Sequence, residues 1–327
     1  MQMPQTLSSV AVLVPGKLHA HAAGRIGETF NRVHIESADV ALLTAEKRSQ
    51  IQGIGSYAKI DAPFIDAFPN LKIIANFGVG YDGVDAAYAA SKGIIVTHTP
   101  HVLDEEVADT TIGLLLNTLR QFNAAENYLR AGRWAKEGNY PLTPLTLRGR
   151  KIGIFGMGRI GKAVARRLEA FGVSISYHNR RADAALSYPY FDSLIGLAGA
   201  VDTLISIAPS TPETHKIVGR EVLTALGSNG VFINIGRGTT VDETALIECL
   251  IDGTIAAAGL DVFYDEPRVP QALIDLPNTC LLPHVGSASI ATRIAMADLV
   301  VDNLVSYFSS GTVITPVPEC QGFAKRA

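Results

Sequence analysis

The segment Gly156–Gly161, with the pattern G-x-G-x-x-G, constrains the fold more than any other part of the chain. It follows an apolar run, Lys151–Phe155, and opens a helical pattern, Arg159–Phe171, so a strand passes into a helix through a glycine-rich turn. The three glycines permit, in order, a tight turn, the approach of a pyrophosphate to the backbone, and close packing of helix on strand. This setting predicts a dinucleotide-binding turn. The alternative is a glycine-rich turn that binds no ligand.

Short β-rich runs alternate with longer helical patterns along most of the chain. Several of the runs are continuously apolar, which is typical of parallel strands covered on both faces. The candidate strands are Val10–Val14, Val40–Leu43, Leu71–Ala75, Ile94–Thr97, Lys151–Phe155, Ser174–Tyr177, Thr203–Ile207, Val231–Ile235, Ala256–Leu260 and Thr279–Leu282. The candidate helices are Val84–Ser91, Leu103–Arg130, Arg159–Phe171, Glu243–Asp252 and Ala288–Phe308. The alternation predicts an α/β fold with doubly wound parallel sheets.

The length of 327 residues is more than one hydrophobic core usually serves, so we expect two domains. A polar stretch that contains Gly138, Pro141, Pro144 and Gly149 leads into the dinucleotide-binding turn and separates two α/β units. We predict a Rossmann dinucleotide-binding domain over residues 101–286. The last helix then returns to complete a discontinuous, flavodoxin-like substrate domain made of residues 1–100 and 287–327.

Composition excludes several classes of protein. The formal net charge of −3 does not indicate the basic surface that binds nucleic acid. No stretch approaches the roughly 18 consecutive apolar residues of a membrane span. The cysteines, Cys249, Cys280 and Cys320, lie far apart and in no metal-binding spacing, which fits a reducing compartment. We therefore expect a soluble, cytoplasmic protein without a metal site.

The residues after the second strand of the dinucleotide unit indicate which cofactor binds. Sites that prefer NAD usually have Asp or Glu about 20 residues after the first glycines, where it accepts from the ribose hydroxyls. Asn179, Arg180 and Arg181 follow Ser174–Tyr177 here, and guanidinium groups bind a 2′-phosphate well. The sequence therefore predicts NADP(H). In the alternative interpretation both arginines are solvated surface charges and Asp183 binds the ribose.

Arg237, Glu266 and His284 each lie just beyond the carboxyl end of a candidate strand, where open α/β sheets bind ligands. If the three strands share one sheet, these side chains can converge. Reduction of a keto acid needs a cation for the developing alkoxide and a proton donor that titrates near neutrality. Arg237 suits the first task and can also hold the substrate carboxylate. His284 suits the second, with Glu266 fixing its orientation.

Each of these three residues also has a structural interpretation. Arg237 could bridge two loops, Glu266 could be an exposed turn residue, and His284 could cap the following helix. For any one of these residues alone, the structural interpretation is at least as good as the catalytic one. Their joint occurrence at strand ends favours an active site.

Taken together, the motifs resemble those of the D-isomer-specific 2-hydroxyacid dehydrogenases, and within them the NADPH-linked glyoxylate, hydroxypyruvate and hydroxyphenylpyruvate reductases. The segments that carry the resemblance are Asn76–Gly80, Gly156–Gly161, Phe232–Gly238, Gly259–Phe263 with Glu266-Pro267, and Pro283–Ser287. The resemblance implies the roles of arginine, glutamate and histidine given above. It further implies that the N–H groups of Val79 and Gly80 receive the substrate carboxylate; the residues alone indicate a turn or an anion nest with equal weight. It also implies a homodimer, with the long helix after His101 at the interface.

The resemblance also places Ile235 to Arg237 and Asp261 along the nicotinamide. The predicted cofactor residues are therefore Gly156, Met157, Gly158, Arg159, Ile160, Gly161, Asn179, Arg180, Arg181, Ile235, Gly236 and Asp261. The predicted substrate residues are Val79, Gly80, Arg237 and His284. The chain departs from the family at Asn179, which replaces the usual acidic ribose residue, and at His101, where close relatives commonly have glycine. The roles of His98, His101, Trp134 and Tyr140 stay open. His19 and His21 have the spacing of a metal pair, but no third ligand is evident.

Three other functions are compatible with parts of this pattern. An NAD-linked member of the same family could act on lactate, phosphoglycerate or formate. A dinucleotide-sensing corepressor on the same scaffold could retain the three polar residues. A methyltransferase also uses a glycine-rich turn, but has no need of Arg237, Glu266 and His284.

Overall fold

In a computed structural model, residues 6–327 are described and the chain divides into two compact units. The first unit comprises the residues up to Leu103 together with Ser289–Ala327, and the second comprises Asp104–Ala288. The predicted domains were residues 1–100 with 287–327, and residues 101–286. Each of the two predicted boundaries differs from the observed one by a few residues.

The first unit contains a five-stranded parallel sheet. Its strands are β1 (Ala11–Pro15), β2 (Asn31–Ile35), β3 (Ile51–Ser56), β4 (Ile73–Asn76) and β5 (Ile95–Thr97). The helices between them are α1 (Ala20–Thr29), α2 (Ala45–Gln50), α3 (Ala62–Asp66) and α4 (Ala86–Ser91). The strand order β2-β1-β3-β4-β5 is that of a flavodoxin-like sheet.

Two strands of this sheet were absent from the prediction, and one predicted strand was wrong. Val40–Leu43 has an apolar pattern, but Val40–Leu42 forms a 3-10 turn because the Asp39 side chain accepts a hydrogen bond from the Ala41 N–H. Strand β2 lies at the sheet edge and is mostly exposed, so its sequence is polar. Strand β3 is buried but contains two glycines. A Cβ at Gly55 would lie 2.9 Å from Ile26, so glycine here lets a helix pack closely on the sheet.

The second unit contains a seven-stranded parallel sheet. Its strands are β6 (Lys151–Phe155), β7 (Ser174–His178), β8 (Tyr190–Phe191), β9 (Thr203–Ser206), β10 (Val231–Asn234), β11 (Ala257–Leu260) and β12 (Thr279–Leu281). Its helices are α5 (Asp104–Arg120), α6 (Phe122–Arg130), α7 (Arg133–Glu137), α8 (Arg159–Glu169), α9 (Leu194–Ala200), α10 (Arg220–Leu226), α11 (Glu243–Ile251) and α12 (Gln271–Ile274). The order β12-β11-β10-β9-β6-β7-β8 reverses direction at β6, as in a Rossmann sheet. The predicted fold class is therefore confirmed.

The long helix predicted over Leu103–Arg130 is two helices, so that prediction was wrong in one respect. The chain turns at Gln121, which adopts left-handed backbone angles (φ 53°, ψ 40°) between α5 and α6. The Asn117 side chain accepts from the N–H of Asn123 at 3.1 Å and so satisfies a backbone donor at the start of α6. Apolar periodicity continues through such a break and does not reveal it.

The chain returns to the first unit through α13 (Ile290–Ser310), which packs on α1 and β4. Ser289 caps this helix by accepting from the Thr292 N–H, so it begins two residues later than predicted. The short strands β13 (Thr312–Val313) and β14 (Lys325–Arg326) pair with each other near the end of the chain. Within residues 6–327, no helix is both long enough and apolar enough to span a membrane.

Candidate active site

The glycine turn predicted from sequence joins β6 to α8. Gly156 has a positive φ of 102°, and a Cβ there would lie 2.8 Å from the backbone nitrogen of Ala208, just after β9. Helix α8 begins at Arg159, so its first N–H groups lie at the carboxyl edge of the sheet. Strands β6 and β9 are neighbours at the point where the strand order reverses. This is the position at which open α/β sheets bind ligands.

The second and third glycines of the turn differ in their surroundings. A Cβ at Gly161 would lie 2.4 Å from the carbonyl oxygen of Gly156, whereas a Cβ at Gly158 would have no other atom within 4 Å. Protein packing therefore requires glycine at 161. At 158 the protein leaves open space, which is what the approach of a pyrophosphate to the backbone would need.

We expect Gly161→Ala to lower the free energy of unfolding by about 1–3 kcal/mol, the usual cost of overpacking. Gly158→Ala should change that free energy by less than about 0.5 kcal/mol, because its methyl group meets no protein atom. The same Gly158 variant should bind NADPH more weakly than the wild type. Urea unfolding and fluorescence titration measure the two quantities. A Gly158→Ala protein that keeps wild-type NADPH affinity would contradict the role given to this turn.

Asn179, Arg180 and Arg181 follow β7, next to the glycine turn. The Asn179 side-chain oxygen accepts from the Met157 N–H at 2.7 Å and so fixes the turn to the end of β7. Arg180 and Arg181 are exposed, and the charge of Arg180 contributes to lowering the pKa of Glu213, after the hydrogen bonds that this carboxyl accepts. Asp183, the alternative ribose ligand, is held by Lys162 at 2.7 Å, and that hydrogen bond lowers the pKa of its carboxyl. This arrangement favours the two arginines over Asp183 as the groups that meet the adenosine end of a dinucleotide.

Arg237, Glu266 and His284 follow three adjacent strands, β10, β11 and β12. These strands are parallel and in register, so all three side chains leave the same edge of the sheet. The Glu266 Oε2 lies 2.7 Å from the His284 Nδ1. The three strands share one sheet, which was the condition for the predicted convergence, and within the set Glu266 and His284 are in direct contact.

The Glu266 carboxylate is fixed on both oxygens. Besides its contact with His284, it accepts from the Phe263 N–H at 3.0 Å. Burial by itself would raise the pKa of Glu266, but the hydrogen bonds from His284 and Phe263 and the charges of His284 and Arg237 outweigh it, so the pKa is lowered from 4.5. Glu266 is therefore negatively charged at neutral pH and can orient the imidazole ring.

Asp261 holds the backbone around His284. Its carboxylate accepts from the N–H groups of Val285 at 2.7 Å and Gly286 at 2.8 Å, and its carbonyl accepts from the His284 N–H at 2.9 Å. His284 has a left-handed φ of 54°, which is uncommon for a residue other than glycine. Burial raises the pKa of Asp261 despite its two hydrogen bonds. The family resemblance implied that Asp261 lies near the nicotinamide, and nothing in the sequence indicated that it organises this turn.

The turn that carries Arg237 is fixed through its backbone. The Arg237 carbonyl accepts from the Asn234 amide at 3.0 Å and from the Thr240 hydroxyl at 2.7 Å. Gly238 packs directly on the backbone of Phe263, where a Cβ would lie 1.9 Å from the Phe263 carbonyl. The Arg237 turn is thus joined to the segment that leads to Glu266. Of the neighbouring residues predicted to contact the cofactor, Ile235 and Gly236 are both buried.

Val79 and Gly80 lie in the first unit, in the loop after β4. The Asn76 side chain donates to the carbonyls of Gly78 at 3.1 Å and Gly80 at 3.0 Å, so this loop is held from inside. Within residues 6–327, the N–H groups of Val79 and Gly80 have no hydrogen-bond acceptor. Two N–H groups on successive residues that have no acceptor in the protein are compatible with an anion site.

Several other residues singled out from sequence have ordinary structural contacts. His21 bonds to Asp298 at 2.7 Å, and His19 stacks on Phe77. Among the described residues, no cluster of three or more His, Cys, Asp or Glu side chains could hold a metal ion. Tyr140 lies against the ring of Tyr128, and Trp134 is 59% exposed.

Comparison with known proteins gives concordant results. Residues 112–286 match the family model described as "D-isomer specific 2-hydroxyacid dehydrogenase, NAD binding domain". A glyoxylate/hydroxypyruvate reductase of Arabidopsis thaliana is 42% identical over 314 residues, which are 95% of this chain and 100% of the relative. A hydroxyphenylpyruvate reductase of Plectranthus scutellarioides is 48% identical over 279 residues, 85% of this chain and 88% of the relative.

A solved structure extends the similarity to the whole fold. The crystal structure of an NADPH-dependent glyoxylate/hydroxypyruvate reductase from Sinorhizobium meliloti, in complex with NADP and malonate, is 58% identical in sequence. It superposes with a TM-score of 0.95 and covers 98% of this chain and 100% of its own.

Proposed function

The chain belongs to the D-isomer-specific 2-hydroxyacid dehydrogenases, and we propose that it reduces glyoxylate or hydroxypyruvate with NADPH. The product is the 2-hydroxy acid, of the D configuration where that carbon is chiral. The observation that carries the proposal is the set of Arg237, Glu266 and His284 at three adjacent strand ends, with Glu266 bonded to His284. The substrate is suggested by the reductases of Arabidopsis thaliana and Sinorhizobium meliloti, which are named for these two keto acids.

The proposed substrate-binding groups are the Val79 and Gly80 N–H groups and the Arg237 guanidinium. The two N–H groups receive the carboxylate, and the guanidinium holds the carboxylate side of the substrate and polarises the C2 carbonyl. As C2 is reduced, negative charge grows on the carbonyl oxygen, and a fixed cation nearby stabilises that charge more in the transition state than in the ground state.

His284 would supply the proton that the reaction consumes. Bound NADPH provides the hydride, and the oxygen on C2 takes a proton from the imidazolium of His284. Glu266 fixes the ring through Nδ1, so Nε2 is the nitrogen left to donate. The His284 side chain is 38% exposed, so it can recover a proton from solvent after each turnover.

The preference for NADPH rests on the groups after β7. Arg180 and Arg181 are exposed, whereas the nearby carboxylate of Asp183 is already held by Lys162. The relative from Sinorhizobium meliloti binds NADP. We propose that the two arginines bind the 2′-phosphate, that the glycine turn binds the pyrophosphate, and that Ile235, Gly236 and Asp261 lie along the nicotinamide.

The experiment that tests this proposal is a rate assay with NADPH and NADH, each against glyoxylate, hydroxypyruvate, pyruvate and an aryl pyruvate. We expect NADPH to be preferred, and the double variant Arg180→Ala, Arg181→Ala to raise the KM for NADPH about tenfold or more while changing the KM for NADH little. If neither cofactor is oxidised with any of the keto acids, the proposed reductase activity is refuted. If dinucleotide binding persisted in that case, the corepressor interpretation would gain support. A preference of the wild type for NADH would refute the role of the arginines.

We also propose a cytoplasmic homodimer. Its support is the exposure of large apolar side chains on the helices after α5, namely Phe122 at 50%, Leu129 at 54% and Trp134 at 59%. The three cysteines are all buried and free, as suits a reducing compartment. Sedimentation velocity decides the oligomeric state, and a monomer at micromolar concentration would refute the dimer.

A further inference from the structure

We propose that His98 is a positioning residue for the substrate carboxylate, because it holds the Val79 carbonyl and so turns the Gly80 N–H outward. The inference rests on the proposed function, since it concerns the group of the substrate that the Val79–Gly80 loop would bind. It also assigns a task to a histidine that the sequence left without one.

The argument begins with the geometry of the peptide bond. In a trans peptide the C=O and the following N–H lie in one plane and point in opposite directions. The Nδ1 of His98 lies 2.9 Å from the Val79 carbonyl oxygen. Fixing that oxygen therefore fixes the direction of the Gly80 N–H, which belongs to the same peptide plane and points away from His98.

The preceding peptide is fixed in the same way. The Gly78 carbonyl accepts from the Thr99 N–H at 2.9 Å and from the Asn76 amide at 3.1 Å. The Val79 N–H belongs to that peptide and points away from both donors. Two successive N–H groups thus have their directions set by donors on the opposite side of the loop.

His98 itself is held firmly enough to serve this purpose. Its N–H donates to the Thr315 carbonyl at 3.2 Å, and its carbonyl accepts from the Thr315 hydroxyl at 2.6 Å. Thr315 is bonded in turn to Asn303, which is fully buried on α13. The ring of Tyr81 meets the His98 ring edge to face, with 5.5 Å between centroids. A carbonyl oxygen can only accept, so Nδ1 must carry the proton in this contact.

The carboxylate of a 2-keto acid does not change during reduction. The N–H groups that hold it bind the ground state and the transition state about equally, so weakening them raises KM more than it lowers kcat. Loss of a side chain that merely supported the fold would not raise KM while leaving kcat nearly unchanged. It would also leave the enzyme's preference for a carboxylate over a neutral group unchanged.

Three substitutions test the inference. An asparagine amide lies about as far from the Cα as the Nδ1 of histidine, so His98→Asn can still donate to Val79. A glutamine amide reaches instead to the position of Nε2, and leucine has no donor. We expect His98→Gln and His98→Leu to raise the KM for the preferred keto acid about tenfold or more, with kcat within about threefold of wild type. His98→Asn should stay close to wild type.

The second readout is the ratio of kcat/KM for the keto acid to kcat/KM for its methyl ester, which lacks the negative charge. This ratio should fall about tenfold in His98→Leu and His98→Gln and should be restored in His98→Asn. The KM for NADPH serves as a control and should not change, since the predicted cofactor residues lie in the other unit. Thermal unfolding checks each variant, and His98→Gln provides the test if His98→Leu does not fold.

The outcomes separate the inference from the function on which it rests. A wild-type protein inactive with every keto acid would overturn both. An active wild type whose His98→Leu and His98→Gln variants keep the normal KM and acid-to-ester ratio would overturn the inference alone. Equal losses in all three variants, with the ratio unchanged, would show that His98 only supports the fold and would also overturn it.

Discussion

Replacing His284 with asparagine is expected to lower kcat by about 10²-fold or more, the range for the loss of a general acid. Asparagine suits this test because it tolerates the left-handed backbone that His284 adopts at φ 54°. It can also keep a donor near the Glu266 carboxylate, which lies 2.7 Å from the imidazole Nδ1. What it removes is the nitrogen at Nε2 and the proton carried there. Steady-state kinetics with saturating NADPH and keto acid measure the effect.

Two controls separate chemistry from structure in this experiment. Thermal unfolding should show His284→Asn close to the wild type, because the backbone contacts of Asp261 with residues 284–286 do not involve the imidazole. Glu266→Gln keeps a side chain that can bond to Phe263 but lacks the charge that supports an imidazolium, so its loss in kcat should be smaller. A His284→Asn enzyme with unchanged kcat would remove His284 from the mechanism.

The second large effect is expected at Arg237. Arg237→Ala should lower kcat/KM by about 10²- to 10³-fold, since it removes the cation that we propose stabilises the developing alkoxide. The turn loses the bond from the guanidinium to the Gly236 carbonyl at 2.7 Å, but it should survive, because the bonds from Asn234 and Thr240 go to the Arg237 backbone carbonyl. Stopped-flow measurement of NADPH oxidation gives the rate of the reductive step directly.

Arg237→Lys is the matched control. Lysine keeps the charge but not the planar pair of donors that fits a carboxylate, so we expect an activity between those of the wild type and the alanine variant. An alanine variant within threefold of wild-type kcat/KM would show that Arg237 neither binds nor polarises the substrate.

The sequence revealed best what depends on neighbouring residues. The strand predicted at Lys151–Phe155 is observed with the same ends, and the helix after the glycine turn begins at the predicted residue, Arg159. Both are marked by local signals, an apolar run and a glycine pattern. The same holds for Arg237, Glu266 and His284, which could be placed at strand ends without knowledge of the sheet order.

What the sequence could not reveal depends on contacts made after folding. The glycines of β3 weaken its strand pattern, yet they are what allows a helix to pack on the strand. The break at Gln121 interrupts no apolar periodicity. His98 bonds to the backbone of Val79, which lies 19 positions before it. Asp261 bonds to the backbone of Val285, which lies 24 positions after it. A side chain that bonds to a distant backbone group leaves no pattern of spacing in the sequence.

The bond between Asn179 and the Met157 N–H has a bearing on attempts to redesign the coenzyme preference. Position 179 is where many dinucleotide enzymes distinguish their two coenzymes, so it is an obvious target for mutagenesis. In this protein an apolar replacement there would also remove the bond that holds the glycine turn, so we expect the affinity for both coenzymes to fall. A useful library would therefore keep an oxygen acceptor at 179 and place its diversity at 180 and 181.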